Sequence, residues 1–276
     1  GVVSNKNEEQ LITELLPLYT QTFSRLIKQL NGRTAVIPLS GGYDSRLVIH
    51  MLHSLNYKNI ICFTYGEKGN WESKISQEVA EFYGYRWVFV EYKANELFEL
   101  YQDIEPFFDF SIAHSGMGHT QDLLAVKKLD EQGILPKDSV FIPGHSGDFV
   151  AGSHIPENYK QVDPANYLFQ KHCTLWATSN PEVIKKNIRQ QLEVINPERN
   201  TSKAEKIELW DWRERQAKYI CNSIKVYEYF GYKWCLPLWE KSIMDFWLGV
   251  PVKHKINRRL YYVFANELHG EITANP

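Results

Sequence analysis

Hydrophobic positions in the first 150 residues fall into two alternating patterns. "RTAVIPL" (33–39), "NIICFTYG" (59–66), "YRWVFVEY" (85–92) and "SVFIPG" (139–144) are short and almost continuously apolar, as strands covered on both faces are. Between the first three lie "SRLVIHMLHSLN" (45–56) and "WESKISQEVAEFYG" (71–84). Their apolar residues recur at helical spacing, and Gly84 is placed to stop the second helix. Residues 9–30 read as a further amphipathic helix through Leu11, Leu15, Leu18, Leu26 and Ile27, with a kink or break expected at Pro17. Strand–helix–strand alternation predicts an α/β fold, a doubly wound parallel sheet with right-handed crossovers. Beyond residue 150 the pattern changes. Residues 164–230 read as largely helical, and "YKWCLPLWE" (232–240) is expected to return a last strand to the sheet. "NPERNTSKAEK" (196–206) is expected to be exposed and flexible.

The expected organisation is a single domain over 1–276: a parallel core over 1–150, a mainly helical part over 151–230, and a last strand with C-terminal helices over 231–276. Apolar residues make up 43% and charged residues 23% of the chain, as in ordinary globular domains. A net charge of −2 gives no electrostatic argument for nucleic acid or an anionic membrane. No apolar run reaches the ~20 residues of a membrane span. Cys62, Cys173, Cys221 and Cys235 form no CxxC pair and read as reduced residues of a cytoplasmic protein. The opening "GVVSNKNEEQ" reads as a cut or processed end, which leaves room for an upstream domain.

Candidate chemistry enters at "IPLSGGYDSRLV" (37–48), where the first strand passes into a helix. Ligands of open parallel sheets bind beyond the carboxyl ends of strands. Gly41 and Gly42 allow close backbone approach, the helix start offers N–H groups and its positive dipole end, and Ser40 and Ser45 add hydroxyls. Together these make an anion cradle of phosphate size. Asp44 would repel a phosphate unless a magnesium ion bridged the two. The plain alternative is a capped strand-to-helix turn. Five specified positions in the right context favour the cradle, and no GxxxxGK[ST] is present.

S-G-G-x-D-S at 40–45 resembles the PP-loop of the N-type ATP pyrophosphatases, which cleave ATP between the α and β phosphates. "FIPGHSGDFVAG" (141–152) resembles the second motif of the asparagine synthetase family, with Gly144, Gly147, Asp148 and Gly152 matching. The resemblance implies an adenine nucleotide alpha hydrolase-like fold and Asp148 as a second magnesium ligand opposite Asp44. It implies Tyr65 and Gly66 at the adenine, with Pro38 and Gly144 lining the nucleotide pocket. "KINRRLYYVF" (255–264) resembles the family's closing K-x-x-x-R helix. Lys255 and Arg259, one turn apart, would then neutralise charge on the α-phosphate and the tetrahedral intermediate. His145 stands where the family has an acid near the ammonia-side chemistry, and Phe149 replaces a glutamate. Arg215, Arg46 and His114 are candidate substrate contacts.

The implied reaction is attack of a carboxylate on MgATP, release of pyrophosphate into the cradle, and aminolysis of the acyl-adenylate by ammonia or an amine. The family draws ammonia from an N-terminal glutaminase domain with a cysteine nucleophile. This chain has no cysteine before Cys62, so a glutaminase domain or partner upstream, or free ammonia, would supply nitrogen. A sugar acid of surface-polysaccharide assembly is an alternative acceptor, and an ATP-binding protein without turnover is an alternative from another class. tRNA thiolation shares SGGxDS but needs a reactive cysteine and a basic surface. "GHSGD" lacks the last glycine of a G-x-S-x-G nucleophile elbow at Ser146. His114 and His119 lack the spacing and partners of a zinc pair.

Overall fold

The computed structural model describes residues 3–112, 116, 118–175, 179–194 and 201–269. Helix α1 (Glu8–Leu30) opens on an Asn7–Gln10 capping box and closes on left-handed Asn31. It runs through Pro17 without a break. Thr13 and Pro17 both face solvent, so water can satisfy the carbonyl that proline leaves without a donor. Its buried stripe is Leu11, Leu15, Tyr19, Phe23, Leu26 and Leu30, with Leu18 and Ile27 only half-buried.

Then follow β1 (Ala35–Pro38), α2 (Tyr43–Ser54), β2 (Ile60–Gly66), α3 (Trp71–Phe82) and β3 (Arg86–Glu91). Three helices unmarked in the sequence reading come next: α4 (Ala94–Gln102), α5 (Glu105–Ile112) and α6 (Leu123–Glu131). The chain returns through β4 (Val140–Phe141) and a single turn α7 (Gly147–Val150). Helices α8 (Pro164–His172), α9 (Pro181–Val194) and α10 (Lys203–Asp211) lead into a π-helical run, Trp212–Ile220. The remainder is α11 (Lys225–Tyr229), β5 (Lys233–Trp234), α12 (Lys241–Gly249), α13 (Val252–Lys255) and α14 (Arg259–His269). Part of the expected flexible segment lies outside the described residues. Its end is helical, because Ser202 and Glu205 form a capping box that starts α10.

Among the described residues five strands pair, all parallel, in the order β3-β2-β1-β4-β5. The doubly wound sheet is therefore as expected. Side-chain alternation divides its interior. Ala35, Ile37, Ile60 and Cys62 join α1, α2, Trp247 and Phe264 on one face. Val36, Ile61 and Phe63 join α6, Phe141 and Tyr227 on the other. A third, separate core of Leu168, Ile188, Ile207 and Trp210 binds α8, α9 and α10 together.

Candidate active site

The strand order reverses at β1, whose neighbours β2 and β4 are reached in opposite directions, and a crevice opens beyond such a point. Here it is a cleft of about 530 Å³ walled by the loops after β1 and β4. Thr64 Oγ1 holds the Leu39 carbonyl at 2.5 Å as the first loop leaves β1. The Ser40 N–H donates to Ser45 Oγ at 3.1 Å and the Gly42 N–H to Ser40 Oγ at 3.2 Å, so both hydroxyls brace the turn. Gly42 caps α2 without a side-chain hydrogen bond, so the helix start faces the cleft with its backbone donors and partial positive charge. Gly41 lies behind the loop, where a Cβ would sit 3.0 Å from the Trp71 ring.

The second loop presses directly on the first. A Cβ on Gly144 would lie 2.6 Å from the Ser45 nitrogen, and one on Gly147 would lie 2.9 Å from Asp44 Cγ. Only glycine permits that approach. Asp148 consequently reaches Asp44: its N–H donates to Asp44 Oδ2 at 3.0 Å, while Tyr261 Oη donates to Oδ1 at 2.6 Å. Burial, and then the facing Asp148 carboxylate, push the Asp44 carboxyl up to about 7. Two such acids disfavour each other's charge, and a divalent cation relieves that conflict through oxygen ligands. The residues present therefore fit a magnesium ion held by Asp44 and Asp148.

His145 also lines the cleft, and burial drives its imidazole down to about 4. Ser223 Oγ donates to the Ile220 carbonyl at 2.7 Å and lies 3.1 Å from His145 Nδ1. A hydroxyl has one proton, so Ser223 accepts from Nδ1–H, and Nε2 keeps the lone pair. Ser146, which an elbow would expose, is buried in a left-handed conformation and donates to Gln216 Oε1 at 3.0 Å. Opposite stand Tyr65 and Asp122. Tyr65 and Tyr227 each donate to Asp122 at 2.8 Å, and Tyr65 stacks on Tyr92.

The cleft brings together Pro38, Ser40, Gly42, Asp44, Ser45, Tyr65, Gly144, His145 and Asp148 of the residues singled out in the sequence. Others lie elsewhere. Gly66 follows Tyr65 with φ 132°, off the cleft wall. Arg46, in the first turn of α2, is buried with its Nε on the Gly42 carbonyl at 3.2 Å and does not line the cleft. Arg215 lies off the cleft wall, 3.5 Å from His154 Nε2. His114 lies outside the described residues. His119 does line the cleft.

The basic pair of the last helix is not a pair. Asn257 and Arg258 take left-handed dihedrals, φ 53° and 56°, between Lys255 and Arg259. The one-turn spacing that would align them is broken. Lys255 points inward to Glu208 at 2.6 Å, and Arg259 points outward to Glu8 at 2.7 Å. Arg258, between them, lines the cleft with its guanidinium over the Tyr262 ring at 4.6 Å. Residues missed by sequence reasoning are thus Arg258, Tyr261, Asp122 and Ser223. The adjacent Arg258–Arg259 dipeptide was the one available signal.

The asparagine synthase family model matches residues 31–262. No curated protein matches the chain. Solved structures that match include the NH3-dependent NAD synthetase from Campylobacter jejuni, at 11% identity and a TM-score of 0.35, covering 80% of this chain and 96% of that one. They also include the U34-tRNA thiolase NcsA from Methanococcus maripaludis, at 16% identity and a TM-score of 0.36, covering 80% of both chains.

Proposed function

The chain belongs to the asparagine synthase family, and on that premise we propose that it is an ATP-dependent synthetase that converts a carboxylate to an amide, releasing AMP and pyrophosphate. The observation that carries this reading is the meeting of Asp44 and Asp148 above a glycine turn at the start of α2.

The residues divide the work by position. Ser40, Ser45 and the first N–H groups of α2 hold the departing pyrophosphate. Asp44 and Asp148 would hold a magnesium ion, which would supply positive charge for the phosphate oxygens. Arg258 adds a fixed cation on the same wall. Tyr65, clamped by Asp122, floors the nucleotide end. His145 is neutral at physiological pH and offers Nε2 as a proton acceptor. The proton it would take is one from the cationic adduct formed when ammonia adds to the acyl-adenylate, since ammonia itself is far too weak an acid to give one up.

The direct test is product analysis. The protein is incubated with ATP, magnesium, an ammonium salt and a panel of carboxylates that includes aspartate and uronic acids. AMP and pyrophosphate, dependent on one carboxylate, are expected. ADP and phosphate would overturn the reading, and bound but unchanged ATP would point to a nucleotide-binding homologue.

A further inference from the structure

Beside the cleft, three chain segments converge on one buried carboxylate. Asp211 ends α10 and is fully buried. His154, from the loop after α7, places Nδ1 2.6 Å from its Oδ2. His172, the last residue of α8, places Nε2 2.9 Å from its Oδ1. The first contact is a sound hydrogen bond. The second is not: His172 Nε2 and Asp211 Oδ1 are both buried, and neither makes a hydrogen bond of acceptable geometry. The pair is in ion-pair contact, and despite burial that proximity helps hold the Asp211 carboxyl below its ordinary range, but the hydrogen-bond geometry is poor. Burying polar atoms in that state is unfavourable unless something else satisfies them.

We propose that His154, His172 and Asp211 form a binding site for a divalent transition-metal cation, zinc by its ligand chemistry, separate from the acids of the cleft. Two imidazole nitrogens and one carboxylate are a recurrent zinc set. All three donors lie within 4.8 Å of one another. A tetrahedral zinc with bonds of ~2.0–2.1 Å separates its ligands by about 3.3 Å, so the two His–Asp contacts, now 2.6 and 2.9 Å, need open by only about 0.7 and about 0.4 Å. His154 binds through Nδ1. Its ring proton moves to Nε2, and Arg215 gives up its 3.5 Å contact there. The set carries one negative charge with both imidazoles neutral, which the dication reverses to one positive.

The location gives the site a role. His172 stacks on Trp210, within the core that joins α8, α9 and α10. His154 packs edge-on against Phe149, the neighbour of Asp148. The cation therefore ties the helical part of the molecule to the loop that carries the second cleft acid.

The test uses the whole chain, stripped with a chelator and titrated with zinc chloride and, separately, cobalt chloride. About one zinc per chain is expected, with Tm raised by several degrees and the intense visible bands of tetrahedral cobalt. H172Q and D211N should lose the stoichiometric zinc, the Tm rise and the cobalt bands. D148N should keep all three. Circular dichroism confirms that each variant is folded. If H172Q fails to fold, the wild-type cobalt spectrum decides alone. Absence of stoichiometric zinc in the folded wild type would overturn the proposal, as would binding that H172Q and D211N leave unchanged.

Discussion

The two loops of the cleft and the closing basic helix contrast sharply. In the loops, side chains are aimed by strands whose register is fixed by a parallel ladder. Once β1 and β4 are neighbours, the residue at a given count past each strand end has little choice of direction. Asp44 and Asp148 meet because Gly144 and Gly147 let the two backbones touch. At the other end, the basic residues Lys255, Arg258 and Arg259 diverge because Asn257 and Arg258 leave helical dihedrals. Lys255 turns inward, Arg258 into the cleft and Arg259 to solvent. Local spacing predicts direction only where the backbone between the residues stays regular.

The largest effect is expected at Lys255. If it is a buried ion-pair partner and not a catalytic cation, K255M should destabilise the fold by about 3–5 kcal/mol by leaving Glu208 unpaired. Paired K255M/E208L should recover much of that loss in urea unfolding. A K255M protein of normal stability that lacks AMP formation would return Lys255 to the chemistry. Next come the cleft acids. D44N or D148N should lower AMP and pyrophosphate release by about 10²–10³-fold with little change in Tm. Unchanged turnover in both would end the case for a metal-bound phosphate between them.

The pH dependence of stability sharpens the loop side. The folded-state His145 pKa, about 4, lies below its ordinary 6.5, so the unfolded chain binds more protons between those values. Its contribution is fully present above pH 6.5 and disappears as pH falls toward 4, by up to about 3 kcal/mol. H145N should flatten that slope in denaturation at pH 7 and pH 5, and an unaltered slope would show that the imidazole is not the cause. R258A should lower kcat/KM by about 10–100-fold, as the loss of one cation facing a phosphate does. R259A, whose guanidinium is exposed beside Glu8, should change turnover less than twofold, since an exposed pair contributes little. The reverse ranking of these two neighbours would show that the helix is read in the wrong phase.

Much of the molecule was legible from residue order alone. Continuous apolar runs separated by helical spacing fixed a doubly wound parallel sheet, because both faces of such strands must be covered. Ser40, Gly41, Gly42, Asp44 and Ser45 marked the end of the sheet where the cleft opens, because glycine and a helix start have few other reasons to follow a buried strand. Tertiary structure decided what depends on contacts between distant segments. Ser223 sets the tautomer of His145 from 78 positions away, and Asp122 clamps Tyr65 from 57. The π-helical run that holds Ser146 through Gln216 has no periodic signature. Asp211 gathers His154 and His172 from separate segments, a grouping that exists only after the helices pack. Short-range sterics and hydrophobic spacing are written along a chain, whereas the partner of a buried polar group is set by which surfaces the core presses together.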